Sequence, residues 1–159
     1  MFKRIGVEDR IRVSRFFESH WCASIVVSRG RVHAVDDLEG FLYEEDGAIS
    51  GLITYRVDGK ELEVVTVDAL KQRQGLGTRL LEAVDREAHE GKCTRIWLIT
   101  TNDNLEALRF FQRRSFSLVA VHRDALTVAR KLKPSIPAIG NFNIPIKDEI
   151  ELEKLILLP

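Results

Sequence analysis

The sequence predicts an α/β fold on a mixed sheet, mostly antiparallel, with one parallel β-α-β crossover at its centre. Three observations carry this. Two Asp-Gly pairs, Asp46-Gly47 and Asp58-Gly59, separate runs rich in β-branched and aromatic residues; Asp-Gly suits the positive-φ positions of tight hairpin turns, so three antiparallel strands are expected. The run Leu62 to Val67 then leads through Gln72-Arg73-Gln74-Gly75-Leu76-Gly77-Thr78 into Leu80, Leu81, Val84 and Ala88 at helical spacing, up to Gly91. Arg95 to Thr100 reads as a strand again, which makes the helix a right-handed crossover between parallel strands.

The remaining elements follow in order. Phe2 to Val7 is a first strand and Glu8 to Trp21 a helix, with Ile11, Phe16 and Phe17 facing inward and Trp21 at its exit. Ile25-Val26-Val27 is a short strand ended by Ser28-Arg29-Gly30. Asp103 with Glu106 fits a capping box for a helix over Leu105 to Arg114, with Leu105, Leu108 and Phe111 or Phe110 as its inner stripe. Phe116 to Val121 is a strand, Arg123 to Lys131 a helix stopped by Pro134, and Ile150 and Leu152 alternating with Glu149, Glu151 and Glu153 a final strand.

With 159 residues the chain is read as one domain, residues 1–159, large enough to bury a core. Its formal net charge is zero, which argues against nucleic acid or an acidic membrane as the main partner. The basic pair Arg113-Arg114 reads as a solvated helix end. Cys22 and Cys93 match no metal spacing, so no metal is expected, and buried free thiols point to the cytoplasm. No apolar run is long enough to cross a membrane, and the first residues carry no signal-peptide core.

The glycine loop carries the chemistry. A loop of this kind opens a helix with unpaired N–H groups pointing one way, and the helix dipole favours an anion there. A tight turn that binds nothing is the other reading of the same residues. The dinucleotide fingerprint fails because position 80 is Leu, and no Gly-Lys-Ser/Thr completes a P-loop.

A strand ending Val65-x-Val67 followed by Gln72-x-x-Gly75-x-Gly77 resembles the acetyl-CoA-binding motif of the GNAT superfamily of N-acyltransferases. Downstream, Asn104-x-x-Ala107-x-x-Phe110-Phe111-x-x-x-Ser115-Phe116 resembles that family's second motif, Asn-x-x-Ala-x-x-hydrophobic-Tyr-x-x-x-Gly-Phe. The resemblance covers Leu38 to Val121 well, and the flanks look like a bacterial subgroup of undefined substrate. It implies a GNAT-like fold and transfer of an acetyl group from acetyl-CoA to a primary amine of a small molecule or protein. The backbone of Gln72, Arg73, Gln74, Gly75, Leu76, Gly77 and Thr78 would hold the pyrophosphate. Val65, Thr66 and Val67 would pair with the pantetheine amides, one N–H there polarising the thioester carbonyl. Asn104 and Phe111 would line the pantetheine arm.

An ammonium cannot attack a thioester, so a base is needed; a lysine-like amine titrates near ~10.4. Glu63 and Glu61 are the candidates, and Glu63 is preferred as nearer the splay that the family makes in this strand. Two residues depart from the family pattern. Phe111 replaces the Tyr that can protonate the departing sulfur; Tyr55, His122 or a water would be substitutes, and a thiol of pKa ~8.5 leaves tolerably as thiolate. Ser115 replaces a Gly at a helix end that often needs positive φ. These departures keep a second reading open, an acyl-CoA-binding domain without transfer. For the acceptor, the exit of the first helix (His20, Trp21), the turn holding Arg29, Arg31 and His33, and the loop after Arg130 are the candidate contributors. A homodimer through Leu155 to Leu158 stands beside an intramolecular role for that segment.

Overall fold

The computed structural model describes residues 1–70, 74–157 and 159. Lys71, Gln72, Arg73 and Leu158 lie outside the described residues, and with them two of the expected pyrophosphate contacts.

Among the described residues nine strands and four α-helices follow one another: β1 (Phe2–Arg4), α1 (Arg10–Trp21), β2 (Ile25–Ser28), β3 (Arg31–Ala34), β4 (Glu39–Glu45), β5 (Ala48–Asp58), β6 (Glu61–Ala69), α2 (Leu76–Glu90), β7 (Arg95–Thr101), α3 (Leu105–Gln112), β8 (Ser117–His122), α4 (Ala125–Leu132) and β9 (Glu149–Leu155). Seven strands form one sheet in the order β1-β4-β5-β6-β7-β9-β8. Among the described residues only β6 and β7 pair in parallel; every other neighbour is antiparallel. The expected mixed sheet with its central crossover is therefore present. The last strand inserts between β7 and β8, giving the polar-apolar alternation of residues 149–155 a partner on each side.

Several boundaries differ from the sequence expectation. The first strand stops at Arg4, because a short 3-10 turn over Val7–Asp9 precedes α1. That later start places Val13, Phe16 and Phe17 at core spacing and turns Ile11 outward, 67% exposed. α3 is capped by Asn104, not Asp103: the Asn104 Oδ1 accepts the Ala107 N–H at 3.2 Å. Asp103 instead lies buried, accepting from the Thr101 hydroxyl and the Asn141 N–H. Leu105, expected on the inner stripe of α3, is exposed. Cys93 is buried as expected, but Cys22, at the left-handed end of α1, is exposed.

One strand was not expected at all. β3 pairs with β2 as a separate two-stranded sheet, with Ser28 opposite Arg31. The turn between them, Arg29-Gly30, has φ of 50° and 73°, the two positive angles that a two-residue type I′ hairpin requires.

Two apolar layers sandwich the sheet. On one face Leu80, Leu81, Val84 and Ala88 of α2 pack on Ile53, Tyr55, Leu62 and Val64. On the other, Val13, Phe16 and Phe17 of α1 cover Leu42 and Leu52. Burying a side chain of this kind contributes about 1.5–3 kcal/mol each, so the centre of β5 and β6 is the firmest part of the molecule and the platform for the site.

Candidate active site

The site begins with a break in strand pairing. β6 and β7 pair in register only over Glu61–Val64 and Arg95–Leu98. Beyond Val64 β7 continues on β9 and β6 continues on β5, so the two parallel strands part and leave a slot between them. At the same point β6 carries a bulge. Tyr55 sits opposite Val64 and Thr54 opposite Thr66, so Val65 has no cross-strand partner. The extra residue shifts the side-chain phase. Leu62 and Val64 before the bulge, and Val67 and Ala69 after it, pack on the α2 side. Glu63, Thr66 and Asp68 pair with Arg56, Thr54 and Leu52 and face the α1 side.

On the α2 side a cleft of about 650 Å³ opens at the parted strands. Val67, Gly75, Leu76, Gly77, Thr78, Asn104 and Phe111, all singled out in the sequence, line it. Gly75 caps α2 at φ 69°, a left-handed angle at which a side chain would be strained. A Cβ on Gly77 would stand 3.1 Å from the Phe110 ring, so glycine there lets α2 start directly against α3. The first N–H groups of α2 are thus presented to the cleft with the positive end of the helix dipole. Gln74 is exposed and does not line it. The Thr66 side chain is not in the cleft either: it is buried on the opposite face and shares a 2.6 Å hydrogen bond with Thr54. Only its backbone is near the slot.

Sequence reasoning missed the arginines of the cleft, of which Arg114 is the most engaged. Arg114, expected as a solvated helix end, lies 3.7 Å over the Phe110 ring and donates to the Thr78 hydroxyl and the Phe110 carbonyl, both at 2.9 Å. With Arg109 and Arg113 it adds positive charge to a cleft already favourable to anions.

On the α1 side Glu63 is buried, 5% exposed as a residue. The Ser28 hydroxyl donates to its Oε1 at 2.7 Å, and the His33 Nε2 stands 3.8 Å from its Oε2. Burial pushes the Glu63 pKa up, against the pull of the Ser28 bond and of Arg56 and Arg31. The His33 pKa is pushed down to about 4, first by burial and then by Arg31 and Arg56, so the ring is neutral at pH 7. Its Nε2 is buried without a hydrogen-bond partner among the described residues. Glu61, the other candidate carboxylate, is half exposed and paired with Arg95 at 3.2 Å. Asp68, nearer the glycine loop, accepts from the Trp21 indole at 2.8 Å, and burial raises its pKa.

The hairpin β2–β3 roofs this face. Arg29 reaches Glu149 with its backbone N–H at 3.3 Å and its guanidinium at 3.2 Å, and the Lys133 ammonium donates to the Ile25 carbonyl at 3.0 Å. Tyr55 is fully buried and accepts from Arg4, while His122 bonds Glu151; neither lines the cleft.

The model of the acetyltransferase (GNAT) family matches residues 10–116. The chain belongs to the GNAT acetyltransferase family. Two Bacillus subtilis relatives share that ground with it. The uncharacterized protein YdhI is 41% identical over 142 residues, 89% of each chain, and the uncharacterized protein YxbD is 38% identical over 143 residues, 89% of this chain and 90% of its own. Among solved structures, a GNAT acetyltransferase from Elizabethkingia anophelis with acetyl-CoA bound superposes with a TM-score of 0.64 at 20% identity, covering 75% of this chain and 76% of that one. The IAA acetyltransferase from Bacillus cereus superposes with a TM-score of 0.70 at 16% identity, over 98% and 99% of the two chains. Both likenesses are of fold.

Within the GNAT fold, the two departures from the family motif take definite positions. Ser115 adopts φ 70°, as a residue in a glycine position must, at a cost of about 1 kcal/mol. Phe111 packs edge-on against Phe110 and Phe116 and is largely buried. Among the described residues no helix is long and apolar enough to cross a membrane.

Proposed function

We propose that this GNAT protein transfers the acetyl group of acetyl-CoA to a primary amine by direct attack in a ternary complex. The observation that carries this reading is the slot between β6 and β7, with an anion-favouring helix start on one face and a buried carboxyl group on the other. The cleft fits coenzyme A: glycine leaves the start of α2 open, and Arg114 and the helix N-terminus complement a pyrophosphate. In that fit Leu76, Gly77 and Thr78 hold the phosphates, and the backbone of Val65 to Val67, which has no β7 partner beyond Val64, holds the pantetheine arm. Asn104 keeps its amide N–H₂ for the same arm, because only its oxygen is engaged in capping α3. The thioester supplies an activated acyl carbon with a tolerable leaving group.

Glu63 accepts a proton from the acceptor ammonium, and the amine so freed forms the C–N bond as the C–S bond breaks. The second amine proton neutralises the departing thiolate. A raised pKa suits Glu63 to this work, since a base is most effective when its pKa lies near the working pH. The proton then leaves Glu63 for solvent, which restores the carboxylate for another cycle, while His33, held neutral beside it, adds no charge to the site.

Phe111 favours a second reading, an acyl-CoA-binding module with no transfer, because it has no proton to give to the sulfur. Free-thiol release from acetyl-CoA over a panel of amines separates the two. Amine-dependent release is the expected result. Tight acetyl-CoA binding with no release for any amine would leave the second reading, and failure to bind coenzyme A would remove both.

A further inference from the structure

Under the tip of the β2–β3 hairpin lies a pocket of about 220 Å³ with Glu63 in its wall, beside Trp97 and three arginines, Arg29, Arg31 and Arg56. Its size is below the ~300–1,000 Å³ usual for drug-sized ligands, so it takes something small. The charges around it are unequally engaged. Arg29 is held by Glu149 through two hydrogen bonds, and Glu61 is held by Arg95 at 3.2 Å. Arg31 and Arg56 converge instead on Asp58, at 4.0 and 3.4 Å, and the Asp58 side chain is 75% exposed. Exposed pairs of that kind contribute about 0–1 kcal/mol, so a ligand anion can displace Asp58 at little cost. The same two guanidiniums lower the Glu63 pKa and depress that of His33, so their field reaches the buried carboxyl group. An acceptor bearing only an amine would meet two cations on its way to Glu63. One that also carries an anion meets a matched pair of sites.

We propose that the acceptor is a small amine that also bears a carboxylate, held by Arg31 and Arg56 while its amine is directed at Glu63. Two planar guanidiniums match the two oxygens of a carboxylate and can each hold it by paired N–H donors. This rests on the transferase reading above and names the substrate class for it.

The test is thiol release by the whole protein with matched amines: phenylalanine against phenethylamine, ornithine against putrescine, glutamate against 4-aminobutyrate, and O-phosphoethanolamine against ethanolamine. Phenylalanine and ornithine are expected to exceed phenethylamine and putrescine in kcat/KM by about tenfold or more, the size of one well-placed ionic contact. In an Arg31→Ala/Arg56→Ala double variant that ratio should fall towards one, through KM more than kcat, and Arg56→Lys should restore part of it. Glutamate and 4-aminobutyrate both keep a carboxylate, so that pair reports whether the α-position is the one read. Equal rates for phenylalanine and phenethylamine and for ornithine and putrescine would overturn this inference while leaving the proposed transfer standing. A clear preference for O-phosphoethanolamine over every amino acid would overturn the carboxylate. Absence of release with every amine overturns the proposed transfer and this inference with it.

Discussion

Along β6, Val67 and Ala69 turn towards α2 and the large cleft, whereas Glu63, Thr66 and Asp68 turn towards α1 and the hairpin. The first face is made largely of neighbours in sequence: a strand end, a glycine turn and the first turn of a helix, offering mostly backbone. The second is assembled from distant side chains. Ser28 and Glu63 are 35 positions apart, and Arg29 and Glu149 are 120 apart. Backbone donors at a helix start suit a ligand part that never varies. On the reading proposed above, side chains gathered from separate segments are where selectivity among acceptors would be set, because each can change without disturbing the ladder.

If the two faces are independent in this sense, changes on one should leave the other intact. The largest effect is expected from Glu63→Gln. Loss of a positioned base should lower kcat on the order of 10²–10⁴-fold near neutral pH, with acetyl-CoA affinity by calorimetry unchanged. The deficit should narrow as pH approaches the amine pKa of ~10, where free amine needs no base. A loss constant across pH would count against Glu63 as base. Next comes Gly77→Val on the cleft face. Its side chain must displace Phe110, an overpacking of about 1–3 kcal/mol, and coenzyme A binding should weaken roughly tenfold. The acid limb of the rate profile, which belongs to the other face, should not move; if it does, the faces are coupled.

His33 gives a smaller effect, readable as stability. Its folded pKa of about 4 lies below the ordinary 6.5, so on acidification the unfolded ring takes up a proton before the folded one can. Stability contributed by the neutral ring is therefore present above pH 6.5 and lost as pH falls towards 4, at no more than about 1.4 kcal/mol per pH unit. Calorimetric Tm values at pH 7 and pH 4.5 should differ more for the native protein than for His33→Gln; equal differences would mean the ring is hydrated. The smallest effect is expected from Phe111→Tyr. A thiolate leaves without assistance because its pKa is only ~8.5, so kcat should rise by no more than about threefold. A tenfold gain in single-turnover measurements would show that the leaving sulfur does lack a proton in the native protein.

The strands around β6 were readable because their signals are local: Asp46-Gly47 takes both positive φ angles of its turn, and the glycine loop acts through helix spacing. The second hairpin, by contrast, turns on Gly59-Lys60, not Asp58-Gly59, with Gly59 at positive φ and Asp58 still paired in β5 opposite Glu61. Strand β3 was hidden because its turn is Arg29-Gly30, and arginine is an uncommon residue at φ 50°. Arg114 was hidden for a different reason. Charges at a helix end are normally solvated, and only the close approach of Phe110 and Thr78 draws this one inward. Glu63 could be named from its place on the strand, but its burial depends on Ser28 and His33. No periodicity in the sequence reports a hairpin folding over a strand some thirty residues further on.

The hairpin of β2 and β3 shares no ladder with the seven-stranded sheet and is tied down at Ser28, Arg29 and the Ile25 carbonyl. Such a piece can be grafted. A lineage that exchanges residues 25–34 while keeping serine and arginine at the tip inherits the strands, the slot and the glycine turn unaltered and acquires a different clientele of amines. Divergence among such proteins is then expected to concentrate in this short insert, and a chimera carrying a relative's hairpin is the direct way to move selectivity from one protein to another.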